Sequence, residues 1–302
     1  MCELHGGEDF GQDVLDAGLL VRSSVRGVVA RSGTFEGVVE GFEAYVTRHG
    51  ADQQAEVLRF PPLFPRADYG RVNHIHNFPD LLGSVHTFLG SERDHRKLVL
   101  EFEDGQDWTR GLVSAETMLI PAACYPLYPL LEGELTGTRC VDLRSWVFRH
   151  EPSDDLPRMQ CFRQREYVRV GTADQAWAHR ELWRERALEL LLNLGLPAVS
   201  QPANDPFFGR GGRLAKATQR EQDLKYEVLV PVTSTDKPTA ISSQNCHLDA
   251  FGTAFGIRLP DGSPAHTACV GFGLERIALA LFKTHGLRLE DWPTSVRAEL
   301  GL

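Results

Sequence analysis

The segment Gly271-Phe272-Gly273-Leu274-Glu275-Arg276 runs without interruption into the apolar stretch Ile277 to Phe282. Glycines at alternate positions, then Glu-Arg, then a helix-forming stretch describe a strand that turns directly into a helix. Such a turn puts Arg276 at the start of the helix, beside backbone N–H groups that have no partner within it. Those groups and the guanidinium both favour an anion, and a guanidinium can grip a phosphate through two parallel bonds. The pattern is not a Walker A loop, because the Gly-Lys-Ser/Thr ending is missing. Taken alone, it also fits a purely structural turn.

The rest of the 302-residue chain can be ordered around this point. Its length suits one large α+β domain or two smaller ones, and we expect a single domain over residues 1–302. Residues 1–60 read as an N-terminal helical extension, helical through residue 50, with an amphipathic segment from about Phe35 to Val46. Phe60 to Pro65 is an extended connector, since proline disfavours helix on both sides. Ala173 to Leu194 is the clearest helix, with apolar positions at Trp177, Leu182, Ala187, Leu190 and Leu191; Leu194-Gly195-Leu196-Pro197 stops it. Strands are expected near 197–202, 225–232 and 239–247, with the final strand and helix at 267–283. Residues 204–224 form a polar, basic helical insert. Late strands without regular βαβ alternation imply a mostly antiparallel sheet flanked by helices.

A second constellation lies upstream. Phe148-Arg149-His150-Glu151 and Arg158-Met159-Gln160-Cys161-Phe162 flank a turn built from Pro152, Ser153, Asp154, Asp155 and Pro157, the residues of a long hairpin. Alternate side chains of a strand share a face, so Arg149 and Glu151 are expected to point one way. Phe162, Gln164 and Glu166 likewise share one face, with Arg163, Arg165 and Arg169 on the other. Phe162 and Glu166 are four residues apart, roughly 13 Å at the strand rise. An edge hairpin with solvated charges would show the same residues.

Together the two constellations resemble the second and third signature motifs of the class II aminoacyl-tRNA synthetases. The resemblance implies a class II synthetase-like catalytic domain, α+β with a mostly antiparallel sheet. It also implies that Arg149 holds the α-phosphate of ATP, Glu151 the adenine amino group and Arg158 the outer phosphates. Phe162 would stack on the adenine and Arg276 would hold the γ-phosphate. From about residue 66 to the end, the chain further resembles the bacterial amino acid:carrier-protein ligases, truncated relatives of the zinc-dependent seryl-tRNA synthetases. The segments that carry this are Asn77 to Val85, Pro121-Ala122-Ala123-Cys124-Tyr125-Pro126, Asp205 to Arg210, Leu224 to Val228 and Ser243-Gln244-Asn245-Cys246-His247.

That family implies Zn²⁺ held by Cys124, Glu166 and Cys269, with a fourth position open, the layout of a catalytic zinc site. It implies Mg²⁺ at Glu227, with Ser243 a weaker candidate, and Asn245 lining the amino-acid pocket. The activity implied is ATP-dependent activation of a small amino acid, glycine or alanine favoured, as an aminoacyl-adenylate. The aminoacyl group then passes to the phosphopantetheine thiol of a carrier protein. Cys246 departs from the seryl-tRNA synthetase pattern, which argues against serine. Cys161 and Cys246 read as core or pocket wall.

Composition bears on the acceptor. The net charge is −9, against the basic face usual for holding a long nucleic acid, and residues 1–50 show no sustained heptad for a tRNA-binding arm. The insert, by contrast, carries Arg210, Arg213, Lys216, Arg220 and Lys225 against Asp205, Glu221 and Asp223. A basic helix beside the site suits an acidic carrier protein, and tRNA becomes the poorer candidate. The six cysteines include no CxxC and suggest no disulfide framework. No apolar run is long enough to span a bilayer, and Met1 to His5 lack a signal-peptide layout, so a cytoplasmic location is expected. A homodimer is expected by analogy with class II domains. Two other functional classes stay open: a tRNA-charging synthetase and a catalytically silent regulatory paralogue.

Overall fold

A computed structural model describes residues 9–205 and 223–302. The basic insert, with Arg210, Arg213, Lys216 and Arg220, therefore lies outside the described residues except at its ends. The centre of the fold is a seven-stranded sheet. In chain order its strands are β1 (Glu56–Arg59), β2 (Arg139–Phe148), β3 (Cys161–Gly171), β4 (Val199–Pro202), β5 (Lys225–Val230), β6 (Thr239–Leu248) and β7 (His266–Gly273). They lie side by side as β4-β5-β6-β7-β3-β2-β1. Every pairing is antiparallel except that of the edge strand β1 with β2.

Strand periodicity gives this sheet two chemically different faces. On β3, Arg163, Arg165 and Tyr167 point to the face covered by helices. There lie α1 (Gly33–His49), α2 (Ala173–Asn193) and α3 (Leu274–His285). Ser32 caps α1 by accepting from the Phe35 N–H, and Thr172 and Gln175 form a capping box on α2. Phe35 of α1 stacks on Phe282 of α3 at 5.9 Å, and Trp183 of α2 lies against Tyr167 at 4.7 Å and Phe272 at 6.0 Å. Phe162, Gln164 and Glu166 point to the opposite face, which is left open as a cleft.

Two expectations need correction. Residues 1–50 are not helical throughout: Leu20–Arg22 and Val29–Arg31 pair as a hairpin, and β1 enters the sheet before residue 60. Val21, Val25, Val28 and Val29 are β-branched and poor in helices, and Gly27 turns the chain at φ +78°. On α2 the buried stripe is Ala176, His179, Arg180, Trp183, Ala187, Leu190 and Leu191. Leu182 is exposed and Trp177 half-exposed, because two polar residues take the inward positions. His179 Nε2 reaches the Tyr167 carbonyl at 3.0 Å. The Arg180 guanidinium lies over the rings of Trp177 and Tyr226 at 4.5 and 5.2 Å.

One buried ion network ties these elements together. Glu275, 1% exposed, opens α3. Its carboxylate accepts from the Arg163 backbone N–H at 2.7 Å and Arg163 Nε at 2.8 Å, and pairs with Arg31 Nε at 3.1 Å. Arg163 forks onward to Glu36 of α1 at 2.6 and 2.9 Å. Removing one member of such a network strands the others without a counter-charge. Glu275→Gln is expected to lower the unfolding free energy by roughly 3–5 kcal/mol in urea denaturation. Glu299→Gln, which breaks only the half-exposed pair with Arg48, is expected to cost less than about 1 kcal/mol.

Candidate active site

The cleft over the open face has a volume of about 1180 Å³. Its floor is a cross-strand row. Glu166 on β3 stands opposite Gly271 on β7, which stands opposite Ser243 on β6, which stands opposite Glu227 on β5. The adjacent row along the same face runs Cys269, Asn245 and Lys225. Period-2 alternation on four neighbouring strands thus delivers all these side chains to one surface. A Cβ on Gly271 would meet Ser243 Oγ at 3.5 Å and Glu166 Cγ at 3.7 Å. These are ordinary contacts, so glycine is not needed to avoid a clash with the neighbours. What Gly271 and Gly273 do is leave the middle of the floor bare.

At one end the cleft is cationic. Arg149 is anchored by Nε to the Pro121 carbonyl at 3.0 Å, and its guanidinium lies 5.5 Å over the Phe162 ring. Arg276 donates to the carbonyls of Pro157 at 2.8 Å and Ala240 at 2.9 Å. Burial, followed by the Arg149 charge, pulls the Arg276 guanidinium down to about 10. A guanidinium depressed by burial and by a neighbouring cation creates a demand for an anion.

Arg158 and Glu151 take a different place from the one strand alternation suggests. β2 stops at Phe148, since Pro152 and Pro157 cannot continue a ladder. Glu151 therefore does not share a strand face with Arg149. It accepts from Arg158 Nη1 at 3.2 Å in the loop at the rim. Both charges still act on Arg276.

At the other end Cys124, Glu166 and Cys269 meet, each 4% exposed. Cys124 precedes the 3₁₀ turn Tyr125–Leu131, where Pro126 and Pro129 break regular helix. Glu166 Oε1 accepts from the Ala123 N–H at 3.0 Å, and its carboxylate acts electrostatically on both thiols. Burial pushes all three groups up, the thiols further through the Glu166 charge. Among the described residues, no group of three or more His, Cys, Asp and Glu stands ready-made around a metal position. The chemistry of the set nonetheless fits a thiophilic divalent cation: soft thiolates and a carboxylate in one dry corner, each stabilised as an anion by the ion.

Three cleft residues escaped the sequence reading. Lys225 belongs not to a solvated basic helix but to β5, 8% exposed, with Nζ 3.0 Å from Glu227 and paired also to Asp205. His247 Nε2 lies 3.6 Å from Cys269 Sγ while its Nδ1 meets Thr267 Oγ1 at 2.9 Å; burial pushes this imidazole down to about 4. His74, also pushed down to about 4 by burial, reaches Tyr125 Oη at 3.4 Å. Alternation was the usable signal for the first two, since Lys225 is two residues before Glu227 and His247 two after Asn245. Asn245 itself donates to Ser243 Oγ at 3.3 Å and to Cys269 Sγ at 3.6 Å.

No family model matches the chain. Individual proteins do. The chain is 44% identical over 279 residues to amino acid–(acyl-carrier-protein) ligase 1 of Bradyrhizobium diazoefficiens, covering 91% of this chain and 85% of that protein. It is 28% identical over 194 residues to the type-2 serine–tRNA ligase of Methanococcus aeolicus, 61% of this chain but 37% of that protein. Among solved structures, the M. kandleri seryl-tRNA synthetase in complex with A. aeolicus tRNASec superposes with a TM-score of 0.85 at 21% identity. That match covers 99% of this chain and 61% of the solved one. The fold is thus α+β, of the class II aminoacyl-tRNA synthetase catalytic type.

Proposed function

The chain belongs to the amino acid–(acyl-carrier-protein) ligase family, and from that premise we propose that it activates a small amino acid with ATP and passes it to a carrier-protein thiol. The observation that carries this reading is the two-ended cleft. Its arginine end suits a triphosphate, its acid–thiol end suits an amino group, and its glycine floor leaves room between them for an adenylate. Glycine or alanine is the proposed substrate.

In this reading Arg149, Arg158 and Arg276 clamp the phosphates, Phe162 stacks on the adenine, and Glu151 accepts from the adenine amino group. Glu227, with Ser243 opposite it, would hold Mg²⁺ against the phosphates. Cys124, Glu166 and Cys269 would hold Zn²⁺, which supplies a Lewis acid that takes the amino group in its unprotonated form. Asn245 lines the amino-acid pocket. The amino-acid carboxylate attacks the α-phosphorus and pyrophosphate leaves. The carrier thiolate then attacks the aminoacyl carbonyl, a thioester forms, and AMP leaves. No protein group has to move a proton in the first step, so positioning and charge stabilisation carry it. We place the enzyme in the cytoplasm; no helix among the described residues is long and apolar enough to cross a membrane.

The decisive assay is amino-acid-dependent ATP–pyrophosphate exchange across the standard amino acids. Exchange is expected with glycine or alanine, lost on chelation and restored by Zn²⁺. No exchange from zinc-loaded protein would sink the ligase reading, and indifference to chelation would sink the zinc assignment. Charging of bulk tRNA in place of a carrier would favour the synthetase alternative.

The basic insert supports a carrier-docking role by sequence alone. Reversing Arg213 and Lys216 to Glu is expected to slow transfer to the carrier roughly tenfold or more, while exchange stays intact. Equal loss in both reactions would remove the docking role.

A homodimer is supported by the helix Glu92–Glu103, which has no buried residue and leaves Leu100 and Phe102 61% and 64% exposed. In sedimentation, Phe102→Glu is expected to shift a dimer toward monomer; a wild-type monomer would end that proposal.

A further inference from the structure

The N-terminal hairpin takes no part in the chemistry proposed above, yet it is built against the loop that carries Arg158. That loop, residues 149–160, joins β2 to β3. Gly27 accepts at its carbonyl from the Gln160 N–H at 2.8 Å. Gln160, only 6% exposed, donates through Nε2 to the Arg26 carbonyl at 2.6 Å. Arg26 Nε and Nη2 each lie 2.8 Å from Asp154 Oδ2, and Arg22 Nη2 reaches the Asp154 carbonyl at 3.4 Å. A Cβ on Gly27 would come within 3.2 Å of Gln160 Cγ and 3.3 Å of Ser153 N. At φ +78° the position is strained for any other residue as well.

From the other side, Arg276 holds the same loop through the Pro157 carbonyl at 2.8 Å. Hairpin and loop enclose a cavity of about 270 Å³ that Arg158 helps to line. The loop has little structure of its own. Its internal bonds are mostly short-range: the Glu151 N–H to the Arg149 carbonyl at 2.7 Å, the Asp155 N–H to Ser153 Oγ at 3.1 Å, the Arg158 N–H to the Asp155 carbonyl at 2.9 Å and Arg158 Nη1 to Glu151 Oε1 at 3.2 Å, with the Arg149 N–H donating to the Gln160 carbonyl at 2.9 Å across its base. A loop with two prolines and no helix or strand of its own depends for its order on what grips it.

We propose that the hairpin at residues 20–31 is a clamp that presets this loop for nucleotide. Arg26, Gly27 and Gln160 are then positioning residues acting through Arg158. The proposal rests on the reading that the cleft binds ATP. Its physical basis is population: if only a fraction of molecules hold the loop in the competent state, the apparent dissociation constant rises by the inverse of that fraction. The Asp154 pairs are half-exposed or more and contribute little alone. The close backbone approach at Gly27 is the stronger element.

The test uses the full chain. ATP affinity is measured by calorimetry, and amide hydrogen exchange is followed across residues 149–160. Gly27→Val is expected to weaken ATP roughly tenfold and to speed exchange in the loop, with α2 as protected as in the wild type. In the pyrophosphate-exchange assay the amino-acid KM is expected to stay within about twofold. Arg26→Asp is expected to give a smaller loss, which adding Asp154→Arg reverses. Unchanged ATP affinity and loop exchange in Gly27→Val would overturn the clamp, and so would protection lost evenly across the protein. Should the wild type fail to bind ATP, the proposed function falls, while loop exchange in the variant still decides whether the hairpin presets the loop.

Discussion

The Glu275 carboxylate is the interaction on which the rest of the arrangement depends. It is buried at the first turn of α3, adjacent in sequence to Arg276. With Glu275 facing the helix-covered side and held by Arg163 and Arg31, Arg276 is turned toward the cleft. The same carboxylate joins β3, the end of the N-terminal hairpin and, through Arg163, α1. Arg165 repeats the device two residues along β3, buried at 1% and bonded to Asp142 at 2.7 and 3.0 Å. Apolar residues of similar size would often be as stable or more so. What the charges add here is register. A carboxylate that must meet two guanidinium groups and a backbone N–H admits a single placement of α3 on the sheet.

The cleft follows from that register. Because β3, β7, β6 and β5 are aligned antiparallel neighbours, a one-residue slip in any pair would turn its cleft side chains into the core. Residues far apart in sequence, Glu166, Gly271, Ser243 and Glu227, become one row only through tertiary pairing. Along β3 the strand rise puts Glu166 roughly 13 Å from Phe162, over whose ring the Arg149 guanidinium lies. That is enough for a cationic end and an acid–thiol end to hold opposite termini of one extended ligand.

Much of this was legible in the sequence, for physical reasons that can be named. The strand-to-helix turn at Gly271 to Arg276, the extent of α2 and the antiparallel character of the late strands follow from local signals: alternate glycines, a helical apolar stripe with a Leu-Gly-Leu-Pro stop, and strands without βαβ alternation. So does the shared face of Phe162, Gln164 and Glu166, a matter of period alone. What was not legible depends on partners distant in sequence. Arg180 and His179 displace Trp177 and Leu182 from the inner face of α2 because Tyr226 and the Tyr167 carbonyl wait there. Lys225 looked like one more solvent charge beside the insert, and only its pairing with Glu227 and Asp205 takes it inside. Residues 20–31 read as part of a helical extension, and their reason for being a hairpin is the loop at 149–160, more than a hundred residues away.

The cleft also holds a conflict that sets how its ligands must act. Arg276 is depressed by burial and by Arg149 at one end, while Glu166 and both thiols are pushed up at the other. Each end thus concentrates like charge, or groups that resist becoming charged, in a place shielded from water. Neutralising such clusters with carboxylates at the first end and lysines at the second would relieve the folded state and fill the site. The chain instead spends most of its strong pairings behind the sheet, on Glu275 and Asp142; in front, Lys225 is paired with Glu227 and Asp205, while the arginine and thiol ends stay unbalanced. An anion at the arginines and a cation at the thiols would bind the folded state far better than the unfolded chain, so each would stabilise it by mass action. The sites would also be coupled. With a cation at the thiols, a ligand that carries negative charge at one end and an electron-pair donor at the other engages both ends at once, and it must be long enough to cross the bare glycine floor to do so.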